Sequence, residues 1–82
     1  MNKGDLYVTP NNQLRLVIGS TPNGDIAFAT RGGNTTHDYN QCQIQPPARF
    51  AGEGTLNETV APTEIARVEV IFANYIAANS IR

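Results

Sequence analysis

The chain has 82 residues, 40% of them hydrophobic, and six Lys plus Arg against seven Asp plus Glu give a formal net charge of −1. That length holds one domain with a small core, a size commonly helped by a disulfide, a metal or a second subunit. Cys42 and His37 are single residues of their kinds, which excludes an internal disulfide and leaves a Cys/His zinc site without ligands. A homo-oligomer, first of all a dimer, is therefore the expected helper, and no cofactor or metal is expected.

Lys3, Arg15, Arg31, Arg49, Arg67 and Arg82 are scattered along the chain. Without a cluster of cations to displace counterions from phosphate, nucleic acid is not the expected partner. No apolar run has the length of a membrane span or the form of a secretory leader, and a lone thiol suits a reducing compartment, so a cytoplasmic location is expected.

GDLYVT, residues 4–9, predicts a first strand with Leu6 and Val8 on one face and Tyr7 on the other. Pro10-Asn11-Asn12 turns the chain into QLRLVIGS-TPNGD-IAFATR, residues 13–31, where two alternating runs meet at a Pro-Asn-Gly turn. Strand side chains repeat every two residues, so this is a β-hairpin, with Asn23-Gly24 supplying the positive φ of the turn. Leu14, Leu16, Ile18, Ile26 and Phe28 are the expected core. Val17, Ala27 and Ala29 are small and apolar where an exposed face carries charge, so a second face is covered too, by a C-terminal helix or by another subunit.

After Arg31 the sequence GGNTTHDYN is a polar loop, and a loop of this length in a small domain is a natural binding element. QCQIQ, residues 41–45, returns to alternation with Cys42 and Ile44 on one side, and Pro46-Pro47 stops it. Residues 48–62 read as a turn, a strand at 55–60 and a linker ending at Pro62. In the final segment Ile65, Val68, Ile71, Phe72, Tyr75 and Ile76 form a stripe at helical spacing, with Thr63 as N-cap and Glu64 in the first turn. Val68, Val70 and Phe72 also alternate as a strand would, but length, capping and the alanine-rich tail decide for a helix over 63–80. The fold class is α+β, mainly β: residues 4–60 a small antiparallel sheet or half-open barrel, covered by the C-terminal helix.

His37, Asp38 and Cys42 lie together in THDYNQC, where a base and a carboxylate neighbour a thiol. The alternative is a solvated His-Asp pair beside a small buried hydrophobe, as free cysteines usually are. Arg31-Gly32-Gly33-Asn34 can form an anion nest but lacks the Lys-Ser/Thr of a phosphate loop, and Gly-Gly-Asn is ordinary turn chemistry. Tyr7, Tyr39 and Tyr75 lack the interleaved cations of a base-stacking platform, so packing is their expected role.

GDLYVT, the long hairpin and QIQPPARF together resemble an SH3-like small barrel over residues 4–50. Within that class, CQIQP at 42–46 is similar to the V-Q-I-Y-P segment of the plasmid-borne, trimethoprim-insensitive dihydrofolate reductases at Gln43, Ile44 and Pro46. That likeness implies a glutamine and an isoleucine lining a pore between four subunits. Gln45 replaces the family's tyrosine and its lysine has no counterpart here, so NADPH binding is not carried over.

The expected function is a small non-enzymatic binding module that self-associates, of the kind phages, plasmids and gene cassettes carry. Arg31, His37, Asp38, Tyr39 and Gln43 would meet a protein or small ligand, and Val17, Ala27 and Ala29 would form the interface. The alternative is an oligomeric enzyme or small-molecule binder with its pocket between subunits.

Overall fold

Short alternating runs punctuated by proline and glycine build five strands and three short helices: β1 (Asp5–Val8), β2 (Gln13–Ser20), β3 (Ile26–Gly32), β4 (Gln41–Gln45), α1 (Pro47–Glu53), β5 (Thr55–Thr59), α2 (Pro62–Ile71) and α3 (Ala73–Ala78). The computed structural model describes all 82 residues. The strands form one antiparallel sheet in the order β4-β3-β2-β1-β5, so the fold is α+β and mainly β. The hairpin turn is closed by Thr21, whose N–H donates to Asp25 O and whose carbonyl accepts from Gly24 N–H, both at 2.9 Å. Of the Asn23-Gly24 pair, Gly24 alone takes a positive φ, 85°.

The sheet is covered on both sides. Leu6, Leu16, Ile18, Ala27 and Ala29 pack with Tyr39, Val68 and Ile81 on one face. Tyr7, Val17, Ile26 and Phe28 pack with Phe50 of α1 on the other. This corrects the expected sharing of faces across the hairpin. The pairs Leu16↔Ala29 and Val17↔Phe28 put the large residues of β2 opposite the small residues of β3, and the reverse, so Val17 does not share a face with Ala27 and Ala29. All three are buried within the single chain, Ala27 and Ala29 at 0% exposure and Val17 at 1%. Of the two expected covers for this surface, the chain's own helices provide the one over the alanines, and Phe50 provides the one over Val17. None of the three is available as a subunit interface.

Three further expectations change. Pro46-Pro47 ends β4 and also starts α1, with Pro47 in the first turn and Phe50 its buried residue; proline is well placed there because its fixed φ is helical and the first-turn N–H groups have no intrahelical partner. Pro62 opens α2 for the same reason, so Ala61 rather than Thr63 is the N-cap. The single helix over 63–80 is two helices, separated at Phe72, whose backbone leaves helical geometry at φ −110°, ψ 26°. The break follows the β-branched residues Val68, Val70 and Ile71, which are weaker helix formers than alanine. Ile65, Val68, Phe72, Tyr75 and Ile76 of the expected stripe face the core, whereas Ile71 is 46% exposed.

Beyond α3 the chain returns to the sheet. Ser80 adopts φ 53°, Ile81 N–H donates to Ile76 O at 3.0 Å and Ser80 N–H to Ala77 O at 3.2 Å. These bonds satisfy helix-end carbonyls in a Schellman arrangement and bring Ile81 into the core. Arg82 then exchanges two main-chain bonds with Ser20, at 2.8 and 2.9 Å. Gly19, at the register shift in β2, makes this close approach feasible: its φ is +142°, and a Cβ there would lie 2.8 Å from the carbonyl carbon of Arg82. Gly19→Ala is expected to cost roughly 1–3 kcal/mol, by backbone strain and loss of the Ser20–Arg82 bonds. Urea denaturation checks this, and an unchanged midpoint would show that the segment carries no stability.

Candidate functional site

The largest concave surface lies on the Phe50 side of the sheet. Two depressions of about 430 and 460 Å³ share Thr9, Pro10, Gly52 and Glu53 in their linings, so they form one continuous groove between the β1–β2 turn and α1. Alternation supplies its floor. Gln13 and Arg15 fall on the side of β2 opposite Leu14 and Leu16, and Gln43 and Gln45 fall on the side of β4 opposite Cys42 and Ile44. Phe50 holds α1 above them. Its ring lies 4.8 Å from those of both Tyr7 and Phe28, edge-on to the first and tilted to the second.

Glu53, at the end of α1, binds the floor together. Its Oε1 accepts from Arg15 Nη1 at 2.8 Å and from Gln45 Nε2 at 3.1 Å, and its Oε2 accepts from Arg49 Nε at 3.0 Å. Arg15 Nε donates to Gln13 Oε1 at 2.8 Å, and the guanidinium stands 5.0 Å above the Phe28 ring. Hydrogen bonds from Arg15, then Arg49 and Gln45, hold the Glu53 carboxyl down to about 2. The group is therefore a fixed anion at neutral pH. It cannot serve there as a proton donor, and what the groove offers a ligand is hydrogen bonding from amides, a hydroxyl and compensated charges.

The residues expected to meet a ligand divide into two places. Gln43 is exposed and lines the groove. Arg31 stands near the end of β3, and His37, Asp38 and Tyr39 belong to the loop that follows, which is fastened to the body of the domain. Tyr39 is buried in the helix-side core, with the Arg31 guanidinium 5.7 Å from its ring centre and Arg31 Nη2 donating to Thr35 O at 2.7 Å. Asp38 receives two bonds from Arg67, at 2.6 and 3.2 Å, and these together with the Tyr39 N–H hold its carboxyl below the usual range. His37 is exposed and uses its own N–H on Thr35 Oγ1.

The structure does not assemble His37, Asp38 and Cys42 into a nucleophilic set. Asp38 is committed to Arg67, and burial pushes the Cys42 thiol up to about 11, leaving it protonated at neutral pH. Ile44 packs against the helix-side core, so it is not free to line a pore between subunits as the reductase resemblance implies. Sequence reasoning missed Gln13, Arg15, Gln45, Arg49 and Glu53. The available signal was Gln13 and Arg15 interrupting the apolar character of one face of β2, matched by Gln41, Gln43 and Gln45 alternating on β4.

No family model, curated protein or solved structure matches the chain. No helix is long and apolar enough to cross a membrane.

Because the folded Glu53 carboxyl is depressed from 4.5 to about 2, its contribution to stability is present above the unfolded value and is lost as pH falls from about 4.5 through about 2. Glu53→Gln is expected to lower stability at pH 7 and to flatten that acid limb. Denaturant midpoints measured from pH 7 to pH 2 test it. Parallel acid limbs for the two proteins would show that the network does not hold Glu53 ionised.

Proposed function

We propose that this chain is a small, self-associating, non-enzymatic binding module of SH3-like architecture that takes an extended polar ligand, a peptide segment, in the groove between the β1–β2 turn, β4 and α1. The strand order β4-β3-β2-β1-β5, with a short helix inserted between β4 and β5, supports the architectural part of this reading. The observation that carries the functional part is the groove floor. Arg15, Gln45 and Arg49 bond Glu53, and Gln13 Oε1 accepts from Arg15, while the Gln13 and Asn11 amide nitrogens can still donate and the Gln43 amide can both donate and accept. A peptide main chain presents donors and acceptors in alternation and suits such a surface.

A fixed carboxylate and a protonated thiol favour binding over acid–base or nucleophilic chemistry. Pro10 is the one apolar side chain along the wider depression, which favours modest affinity, because little apolar surface is removed from water on binding. The 31–40 loop serves in this reading as scaffold, held by Tyr39 and Arg67.

Selection of peptides from a random library, followed by NMR titration of the labelled protein with an enriched peptide, tests the proposal. Amide shifts are expected at residues 9–15, 43–45 and 49–54. Gln13→Ala should weaken binding by about 1 kcal/mol for a lost hydrogen bond, roughly fivefold in Kd, with His37→Ala unchanged. Shifts confined to residues 31–40, or no enriched peptide, would overturn it.

A further inference from the structure

The sheet has two edges, and they differ. β5 carries Glu58 and meets β1 through a register shift between Leu6 and Tyr7, and both a charge and a bulge discourage another strand from adding there. β4 has neither. It pairs with β3 in unbroken register from Gln41 to Gln45, its other side is a sheet edge, and Gln-Cys-Gln-Ile-Gln contains no charge and no proline. An edge strand of this kind keeps half of its main-chain donors and acceptors directed outward, ready to pair.

Its sequence is also symmetric in character about Gln43. Reversed, it reads Gln-Ile-Gln-Cys-Gln, polar against polar and apolar against apolar at every position. We propose that β4 is the self-association surface suggested by the functional reading above, on which this inference rests, and that its occupant is β4 of a second copy, antiparallel and centred on Gln43. In that register Gln43 faces the partner subunit's Gln43, Gln41 faces the partner subunit's Gln45, and Cys42 faces the partner subunit's Ile44.

A twofold axis through the Gln43 pair keeps like faces on the same side, so the two sheets join into one of ten strands. On the groove face the two exposed Gln43 amides meet and can donate and accept across the strands, while each Gln45 keeps its bond to Glu53. On the helix face the half-buried Cys42 and Ile44 cover each other and extend the core. The contact is isologous and closes at a dimer. It also places the two grooves side by side, with each Gln43 bordering the partner's groove as well as its own.

Directly opposed residues in an antiparallel pair have Cα atoms about 4.5–5.5 Å apart, within the range a disulfide spans. The test is Gln43→Cys in a Cys42→Ala background, under mild oxidation, beside light scattering of the unmodified protein. Expected are a dimer mass for the unmodified chain, near-complete cross-linking of Gln43→Cys, little from Gln41→Cys alone, and cross-linking restored in the Gln41→Cys, Gln45→Cys double variant. Gln43→Lys, a change at an exposed side chain that sets two cations opposite each other, should give a folded monomer. A dimer mass without the Gln43 cross-link overturns the β4 register and leaves self-association standing, whereas a monomer mass up to about 100 μM overturns both.

Discussion

Burial of Phe50 between Tyr7 and Phe28 is the contact on which the groove side of this molecule depends. It is the one buried residue of α1, a helix of seven residues, too short to be stable alone. The ring therefore fixes the helix to the sheet, and the helix in turn carries Arg49 and Glu53 to the floor. Remove the ring and Arg15 keeps its place on β2, but its carboxylate partner loses the anchor that holds it 2.8 Å away. Packing energy on one face of the sheet is thus converted into electrostatic order at the groove.

This arrangement also explains how a chain of 82 residues encloses a core. Both faces of the sheet are covered, one by α2, α3 and Tyr39, the other by α1, so Leu16-Val17-Ile18 of β2 and Ile26-Ala27-Phe28-Ala29 of β3 are unbroken apolar runs. The two faces have different roles. The helix side is built for stability, with the loop clasped by Asp38–Arg67 and the return of Ile81 and Arg82 to β2. The groove side buries Gln45 and most of Arg15 beneath the more exposed Glu53, Arg49 and Gln43.

Strands were legible in the sequence because a period of two is a local property, visible in Leu14-Arg15-Leu16 or Cys42-Gln43-Ile44. Which side of β2 meets which side of β3 is not local. It depends on the closure of the turn between Thr21 and Asp25 and on the shift at Gly19, so the predicted faces were exchanged on one strand. Pro46-Pro47 has two meanings, strand end and helix start, and only the first was read; α1 and with it Phe50's role were lost. Gln43 stands out in the sequence through the likeness at Gln43, Ile44 and Pro46, while Arg15, Gln45, Arg49 and Glu53 come from three elements that only folding brings together. His37 and Asp38 were conspicuous for the opposite reason, being close in sequence, and the fold gives Asp38 a fastening role instead.

Direct titration of the Glu53 side-chain carboxyl by carbon-13 NMR, in the unmodified protein and in Phe50→Leu, tests the central claim that the aromatic wedge sets the charge order of the groove. The account predicts a midpoint of about 2 in the unmodified protein and a rise toward the ordinary carboxylate range in a folded Phe50→Leu variant. An ordinary midpoint in the unmodified protein, or the same depressed midpoint in both, would contradict it.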